Sequence, residues 1–448
     1  MDFKGNNEKL ATDIREALND SIKEIYNNRD KYVKRPGHDF VRERLLGFTT
    51  LIKLILSFGS KTNQTELKDF FGTTERTPNK SALTLQRAKI NDTAFSTLFT
   101  VFTSKLFRIT TMKLMKGYQL SATDGTDILL PKDSRNPLTY IHKKDEEGYN
   151  KKHLNCLYDP LNHLYTAFNF DTVEKKDERT ALLDMLPSLI HRKVILLADR
   201  GYESYNLIAH CIESGIKYAV RAKELTSNSI LSGISYLLPD KDEFDTTITI
   251  HLTRLKEKPK KGIPNIKVLS PSTNFDYLSK EKPYYDLTIR VVCFTLSSGI
   301  KECLITNLSK NEFSFEEMKK LYFVRWGIEL SYRDLKYPID MVHFHSLKEE
   351  LINQEVAAKL TMYNFCSAIC NNIEVPSALK QTSNLKYDRK VNFAQGIGDC
   401  HKFFCHLLCV EELCKRLIRF LTPIKPDRQA PRNIRSQRAR AFNYRSSV

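Results

Sequence analysis

Four residues in the C-terminal half of the chain have the types and spacing of a catalytic surface. They are Tyr322, Arg325, Glu329 and Lys336, a Y-x2-R-x3-E-x6-K pattern. At 100° per residue, a helix through this segment places the four side chains within about 60° of one another around its axis. A carboxylate, two cations and a phenol then share one stripe, and Arg333 falls near enough to add a third cation. Leu321, Val324, Ile328 and Leu335 form an adjoining apolar seam that docks such a helix on a core. Ser314-x2-Glu317 reads as a capping box at the start of the helix, and Pro338 stops it just past Lys336. One predicted helix therefore carries an acid among phosphate-binding cations, an arrangement suited to chemistry on a nucleic-acid backbone. The competing reading is a solvated charged face with ordinary i,i+4 pairs.

Two further carboxylates stand out by the elements that must position them. Tyr118–Asp124 reads as a strand with Tyr118, Leu120, Ala122 and Asp124 on one face, Asp124 lying at its end. The run KVILLA, Lys193–Ala198, is apolar enough for a strand buried on both faces, and it runs into Asp199-Arg-Gly-Tyr202. Further strands are expected at His153–Tyr158, Leu164–Asp171 and Lys217–Val220. Helices are expected at Arg179–Leu186, stopped by Pro187, and near Glu203–Ile212. This alternation argues for a mixed α/β sheet, in which sites form beyond strand ends. Asp124, Asp199 and Glu329 are hard oxygen ligands suited to Mg²⁺, and two such ions serve phosphodiester chemistry. No Walker loop is present. Asp127 is the nearest competitor for the role of Asp124 and is set aside because it lies past the predicted strand end. Asp199 has the alternative of capping the next helix. Glu355 competes with Glu329 but has no neighbouring cation on its predicted face. His343 and His345 read as packing or surface residues.

The bulk properties agree with a polyanionic partner. The 448 residues carry 70 Lys and Arg against 53 Asp and Glu, a formal charge of +17. No run of about 18 apolar residues suggests a membrane span. The N-terminus lacks an apolar signal core, so a soluble, cytoplasmic protein without a membrane partner is expected, with nucleic acid as the partner. Ten cysteines in such a chain do not predict disulfides. Cys400, Cys405, Cys409 and Cys414, with His401 and His406, lack paired C-x2-C knuckles; they read instead as small apolar positions on a helix with Phe403, Phe404, Leu407 and Leu408.

Six regions follow. Residues 1–110 form a helical N-terminal, DNA-binding region, in which Asn63-x2-Glu66 resembles a capping box for a short helix ending at Gly72. A basic third helix after Pro78 is compatible with DNA docking or with a plain bundle. Residues 111–223 are the first part of the catalytic domain and 301–372 its second part, with a helix over Leu347–Asn371. Between them, 224–300 is a β-rich insertion with a basic loop, Lys256–Gly262. Residues 373–424 are helical. Residues 425–448 form a basic tail with seven Lys or Arg and one Asp, a predicted arm along phosphates.

Asp124-Gly-Thr followed by Leu-Leu-Pro131, then Ala-Asp199-Arg-Gly-Tyr, and then the complete Tyr322/Arg325/Glu329/Lys336 signature resemble the insertion-sequence family 4 transposases of bacteria. The resemblance covers roughly residues 40–445 and includes His343-Phe-His-Ser346, Gln354-Glu355 and Phe442-Asn-Tyr444-Arg. It implies a DDE enzyme with an RNase H-like catalytic domain, and so an α/β fold whose mixed sheet carries the helical N-terminal region and the β-rich insertion. It implies that Asp124, Asp199 and Glu329 hold two Mg²⁺ ions, with Mn²⁺ able to substitute. Tyr322, Arg325 and Lys336 would grip phosphates, with Trp326 and Arg333 beside them on DNA. The implied activity is cut-and-paste transposition on double-stranded DNA by a homodimer in the bacterial nucleoid. The alternatives are a catalytically silent DNA-binding derivative and a structure-selective nuclease. Some members hold a flipped base against an aromatic residue of the insertion. Here the single tryptophan, Trp326, lies outside it, leaving Phe275, Tyr277, Tyr284 or Tyr285.

Overall fold

The computed structural model describes residues 3–42, 44–72, 76–142, 147–172, 177–190, 192–223, 229–255, 264–296, 299–380 and 387–424. The basic loop Lys256–Gly262 and the tail 425–448 lie outside them.

Five helices come first: α1 (Phe3–Asn27), α2 (Phe48–Leu56), α3 (Asn63–Phe71), α4 (Lys80–Arg87) and α5 (Thr93–Ile109). The short helix α3 ends at Gly72, whose φ of +78° suits glycine. Its cap is Thr62, one residue before the expected Asn63, with the Thr62 hydroxyl accepting from the Thr65 amide. Glu66 is not a capping partner. It turns back to accept from the amides of Gly59 and Lys61.

The sheet follows. β1 (Gln119–Leu130), the short β2 (Tyr140–Ile141), β3 (Tyr149–Asp159) and β4 (Leu164–Thr172) form the antiparallel part. α6 (Glu178–Met185) leads to β5 (Val194–Ala198), and α7 (Tyr205–Glu213) leads to β6 (Lys217–Arg221); β5 is parallel to both β1 and β6. The order β4-β3-β1-β5-β6, three antiparallel strands continued by two parallel ones, is the RNase H-like arrangement. β1 is longer than its apolar pattern indicates. Its parallel pairing with β5 ends at Ala122, but pairing with β3 carries it on to Leu130. Asp124 is therefore not at a strand end, and Asp127 is not past one. Asp124 instead sits just beyond the point where β1 parts from β5.

The insertion does not leave the sheet. β7 (Phe244–Thr253), β8 (Ile266–Val268) and β9 (Tyr284–Thr295) extend it through β10 (Lys301–Thr306), which pairs with both β6 and β9. The antiparallel register sets Cys293 opposite Cys303, and the two form a disulfide. The expectation of no disulfides fails here because cross-strand register, invisible in composition, brings two thiols together. Phe275, Tyr277 and Tyr285 pack against one another, so these three insertion aromatics are engaged in their own core.

The signature segment folds as two helices, not one. α8 (Phe315–Val324) carries the predicted capping box at Ser314, and α9 (Gly327–Lys336) ends before Pro338. Between them Arg325 and Trp326 keep right-handed dihedrals, but their amides bond three residues back, to Tyr322 and Phe323. This tight turn rotates the two halves of the stripe relative to each other. Next come α10 (Glu349–Asn372), the single turn α11 (Ser377–Lys380), α12 (Phe393–Phe404) and α13 (Val410–Arg419). The cysteine-rich segment spans two helices: α12 stops at Phe404, Leu407 is exposed, and Cys409 precedes α13. Cys400 packs beside Cys370, their sulfurs 3.9 Å apart.

Two cores flank the sheet. Leu120, Ala122, Ile195 and Leu197 face α8–α10 and the N-terminal helices. Val194, Leu196 and Ala198 face α6, α7 and the alternating residues of β7 and β9. α10 is the central beam, buried along most of its length. Arg87, on the helix read as compatible with DNA docking or with a plain bundle, points inward. It is 2 % exposed and pairs at 2.9 Å with Glu355, which is 1 % exposed. His345 bonds the same carboxylate at 2.9 Å. Glu355 thus has a cationic neighbour after all, Arg87, supplied from 268 residues away and beyond the reach of a helical-wheel argument. No helix among the described residues is long and apolar enough to cross a membrane.

Burial raises the cost of ionising Glu355, but Arg87 and His345 more than offset it and hold its carboxyl down at about 2. Removing one partner strands a buried charge. Glu355→Ala is expected to lower unfolding free energy by about 3–5 kcal/mol, read from urea unfolding of the variant against the parent chain.

Candidate active site

The site begins where β1 and β5 separate. α9 lies across β1 and is fixed at two points one turn apart. The Tyr332 hydroxyl donates to the Asp124 carbonyl at 2.6 Å, and Lys336 Nζ donates to Thr126 Oγ1 at 2.7 Å. Glu329, three residues before Tyr332, is thereby carried to the same end of the strand. Asp199 follows the last residue of β5. Its Oδ1 accepts from the Gly201 amide at 2.8 Å and caps the short turn Arg200–Tyr202. Capping does not compete with a place in the site, since it fixes the carboxylate there.

Electrostatics tie these residues together. Burial pushes the Asp124 carboxyl up to about 7, the nearby charges of Asp199 and Glu329 push the same way, and the Gly125 amide and Arg325 oppose them. Asp199 and Glu329 are therefore both near enough for their charges to act on Asp124. Arg325 is the cation within this group. Its guanidinium is almost fully buried and donates from Nη2 to Glu329 Oε1 at 2.9 Å. Burial alone would lower its pKa, but Glu329 outweighs burial and raises it. Tyr322 is 4 % exposed, with its ring between Arg325 and Arg221, whose guanidinium carbons lie 5.9 and 6.0 Å from the ring centroid. Burial lowers the Lys336 ammonium, against the pull of Asp127 and Asp124.

The structure thus brings together Asp124, Asp199, Glu329 and Arg325, and sets Lys336 on the same strand. It places Trp326 (52 % exposed) and Arg333 on the outside of the signature helices. Asp127 is engaged elsewhere, with Lys151 Nζ at 2.6 Å and His153 Nδ1 at 2.8 Å. Sequence reasoning missed Tyr332 and Thr126, which lock α9 to β1. Tyr332 had a visible signal, lying three residues after Glu329 on the same helical face.

The donor set fits a hard divalent cation: three carboxylates, one of them so short of compensating charge that it is held near neutrality. The side chains are not closed on one point, however. Among the described residues, no three acidic, histidine or cysteine side chains stand together as a ready-made ligand group, and Glu329 is turned to Arg325. Ion binding would have Glu329 exchange the guanidinium for the metal.

The sign of the pH effect follows from Asp124. A folded-state carboxyl raised from 3.8 to about 7 costs nothing below about 4, where both states are protonated. The cost grows with pH and is complete above about 7. In metal-free buffer, Asp124→Asn should therefore raise the melting temperature at pH 8, and the gain should shrink toward zero at pH 4. Equal melting temperatures at pH 8 would contradict this electrostatic picture.

Comparison with known proteins places this geometry. Residues 115–365 match the family model described as the transposase DDE domain, a span that begins just before β1 and ends within α10. The chain is 24% identical over 289 residues to the transposase InsG of insertion sequence element IS4 from Escherichia coli (strain K12). That match covers 63% of this chain and 59% of the length of the curated relative. A solved structure of piggyBac transposase in a synaptic complex with hairpin DNA aligns over 92% of this chain and 81% of its own, at 10% identity and a TM-score of 0.41, too loose a likeness to carry an argument. With its family model spanning more than half the chain and running through Asp124, Asp199 and Glu329, this protein belongs to the DDE transposase family.

Proposed function

We propose that the chain is the DNA transposase of a bacterial insertion sequence, acting on double-stranded DNA in the nucleoid. Water would hydrolyse a phosphodiester at the transposon end and free a 3′-OH. That hydroxyl would attack target DNA directly, or attack the opposite strand first to form a hairpin. The observation that carries this reading is that Asp199 and Glu329 lie near enough to act on the buried Asp124 carboxyl where the two central strands part. Two Mg²⁺ ions, replaceable by Mn²⁺, would be held by these carboxylates and supply Lewis-acid activation of the nucleophile and stabilisation of the leaving oxygen. Arg325 holds Glu329 near its working position, and Tyr322 backs the Arg325 guanidinium. Lys336, fixed to Thr126, sets a cation beside the strand that bears Asp124.

DNA contact is assigned to the outer face of the same helices. Phe323, Trp326, Leu330 and Arg333 are spaced by three and four residues, and all are exposed. An aromatic strip ending in a guanidinium, beside an acidic centre, offers bases a stacking surface and phosphates a cation. Two transposon ends must be brought together for transfer, so the working form is a homodimer on DNA.

The test is Mg²⁺-dependent cleavage of a labelled duplex carrying the DNA that flanks the gene. Glu329→Gln should abolish cleavage and keep binding to the end. Wild-type cleavage by this variant would remove Glu329 from the site, and specific binding by the parent chain without cleavage in Mg²⁺ or Mn²⁺ would favour a silent DNA-binding protein. Trp326→Ala should weaken end binding by about 1–3 kcal/mol, measured by fluorescence anisotropy.

A further inference from the structure

A fourth carboxylate approaches the acidic centre from the opposite face of the sheet. Glu178 opens α6, and its two oxygens look toward both aspartate motifs. A Cβ placed on Gly125, the residue after Asp124, would lie 3.0 Å from Glu178 Oε1. One placed on Gly201, two residues after Asp199, would lie 3.5 Å from Glu178 Oε2 and 3.0 Å from Asp199 Oδ1. Gly125 is a necessity here. The same Cβ would sit 2.3 Å from His153 Nε2, so any side chain would close the gap through which Glu178 reaches the end of the β1–β5 pairing.

Glu178 is held in that gap. His153 is only 2 % exposed and bridges two carboxylates, with Nδ1 at 2.8 Å from Asp127 Oδ1 and Nε2 at 3.1 Å from Glu178 Oε1. This is the carboxylate–histidine–carboxylate pattern by which an outer acid fixes the ring that orients an inner one. Arg179 ties the same helical turn to the Asp199 turn, donating from Nε to the Gly201 carbonyl at 2.9 Å. A separate observation points to a ligand. Asn155 is 3 % exposed, and its Oδ1 lies buried with no hydrogen-bond partner among the described residues, 2.9 Å from the same Gly125 position. An orphaned amide oxygen beside a cluster of carboxylates is a site short of a cation. The Tyr202 hydroxyl, buried nearby, feels Glu178, Asp124 and Asp199 together.

We propose that Glu178, oriented by His153 and Asp127 through the opening at Gly125, is a fourth carboxylate of the divalent-cation site. It would approach that site from the α6 face of the sheet, opposite the face that carries α9 and Glu329. The assignment rests on the transposase reading of that site but names residues outside its three-acid motif. Its consequence is a division of labour. Glu329 would have to leave Arg325 to hold an ion, whereas Glu178, tied to His153, would lend its charge from the α6 side.

The experiment is Mn²⁺ binding to the full chain without DNA, by calorimetry and by metal-induced thermal stabilisation. The parent chain is compared with Asp124→Asn, Glu178→Gln, Glu178→Asp and His153→Asn. Glu178→Gln should weaken Mn²⁺ binding by about tenfold or more, Glu178→Asp less, and His153→Asn by about tenfold, with metal-free melting temperatures close to the parent's. If Asp124→Asn loses Mn²⁺ binding but Glu178→Gln binds with parental affinity, the fourth-carboxylate assignment is overturned and the three-acid site stands. If Asp124→Asn also binds normally, the site reading itself fails. Should Glu178→Gln prove unstable without metal, His153→Asn decides: parental Mn²⁺ affinity there would show that the ring does not orient a metal-binding Glu178 and would likewise overturn the proposal.

Discussion

A helix buried on nearly every side must find partners for each polar group it carries inward, and α10 does this along its whole length. Glu355 takes Arg87 of α4 and His345. Gln354 bonds the Arg87 side chain and the Ile90 carbonyl. Asn364 accepts from the Tyr165 amide in β4 and donates to the Tyr165 carbonyl and to Thr103 of α5. Lys359 reaches the Phe58 carbonyl, and Ser367 the His163 carbonyl. Each of these bonds is also a tether between different elements. Leaving any of them unmade would cost more than the bond itself contributes, because the polar group would remain buried. The N-terminal helices are thus clamped to the sheet through α10.

That clamp is what allows the acidic centre to be electrically expensive. Raising a carboxyl to about 7 means holding it in a poorly solvated place beside two like charges. Such a site persists only if the surrounding structure is rigid enough to refuse relaxation. Here β1 is paired to β5 from Gln119 to Ala122 and to β3 from Ala122 to Leu130, while α9 is bonded across it at residues 124 and 126. Arg325 is spent on Glu329, and Lys336 is bonded to Thr126. The cost of burial is therefore left on Asp124.

Much of this could be read from the chain before its fold was known, and the reasons are local. A strand buried on both faces must be apolar throughout, so β5 announced itself as KVILLA and delivered Asp199 at its end. The Ser314 capping box and Pro338 bracketed the signature because caps and proline act within one turn. What stayed hidden depends on register or on distant partners. The strand beyond Asp124 carries mixed residues because only β3 supports it there. The break at Arg325 and Trp326 has no proline or glycine at the turn itself to mark it. The Cys293–Cys303 bridge, the His153–Asp127 pairing and the approach of Glu178 all follow from which residues lie opposite each other across strands. Arg87 looked like a surface cation because its partner lies in another part of the chain.

The same long-range clamp has a consequence for synthesis. Arg87 leaves the ribosome 268 residues ahead of Glu355, and Asp124 leaves 205 residues ahead of Glu329. At ordinary elongation rates of about 5–20 residues per second, the N-terminal helices wait roughly 13–50 s for the helix that satisfies their buried arginine. A nascent or truncated chain that stops just before α10 carries all three acids but lacks the clamp. The three acids are therefore made before the helix that clamps the N-terminal helices to their sheet.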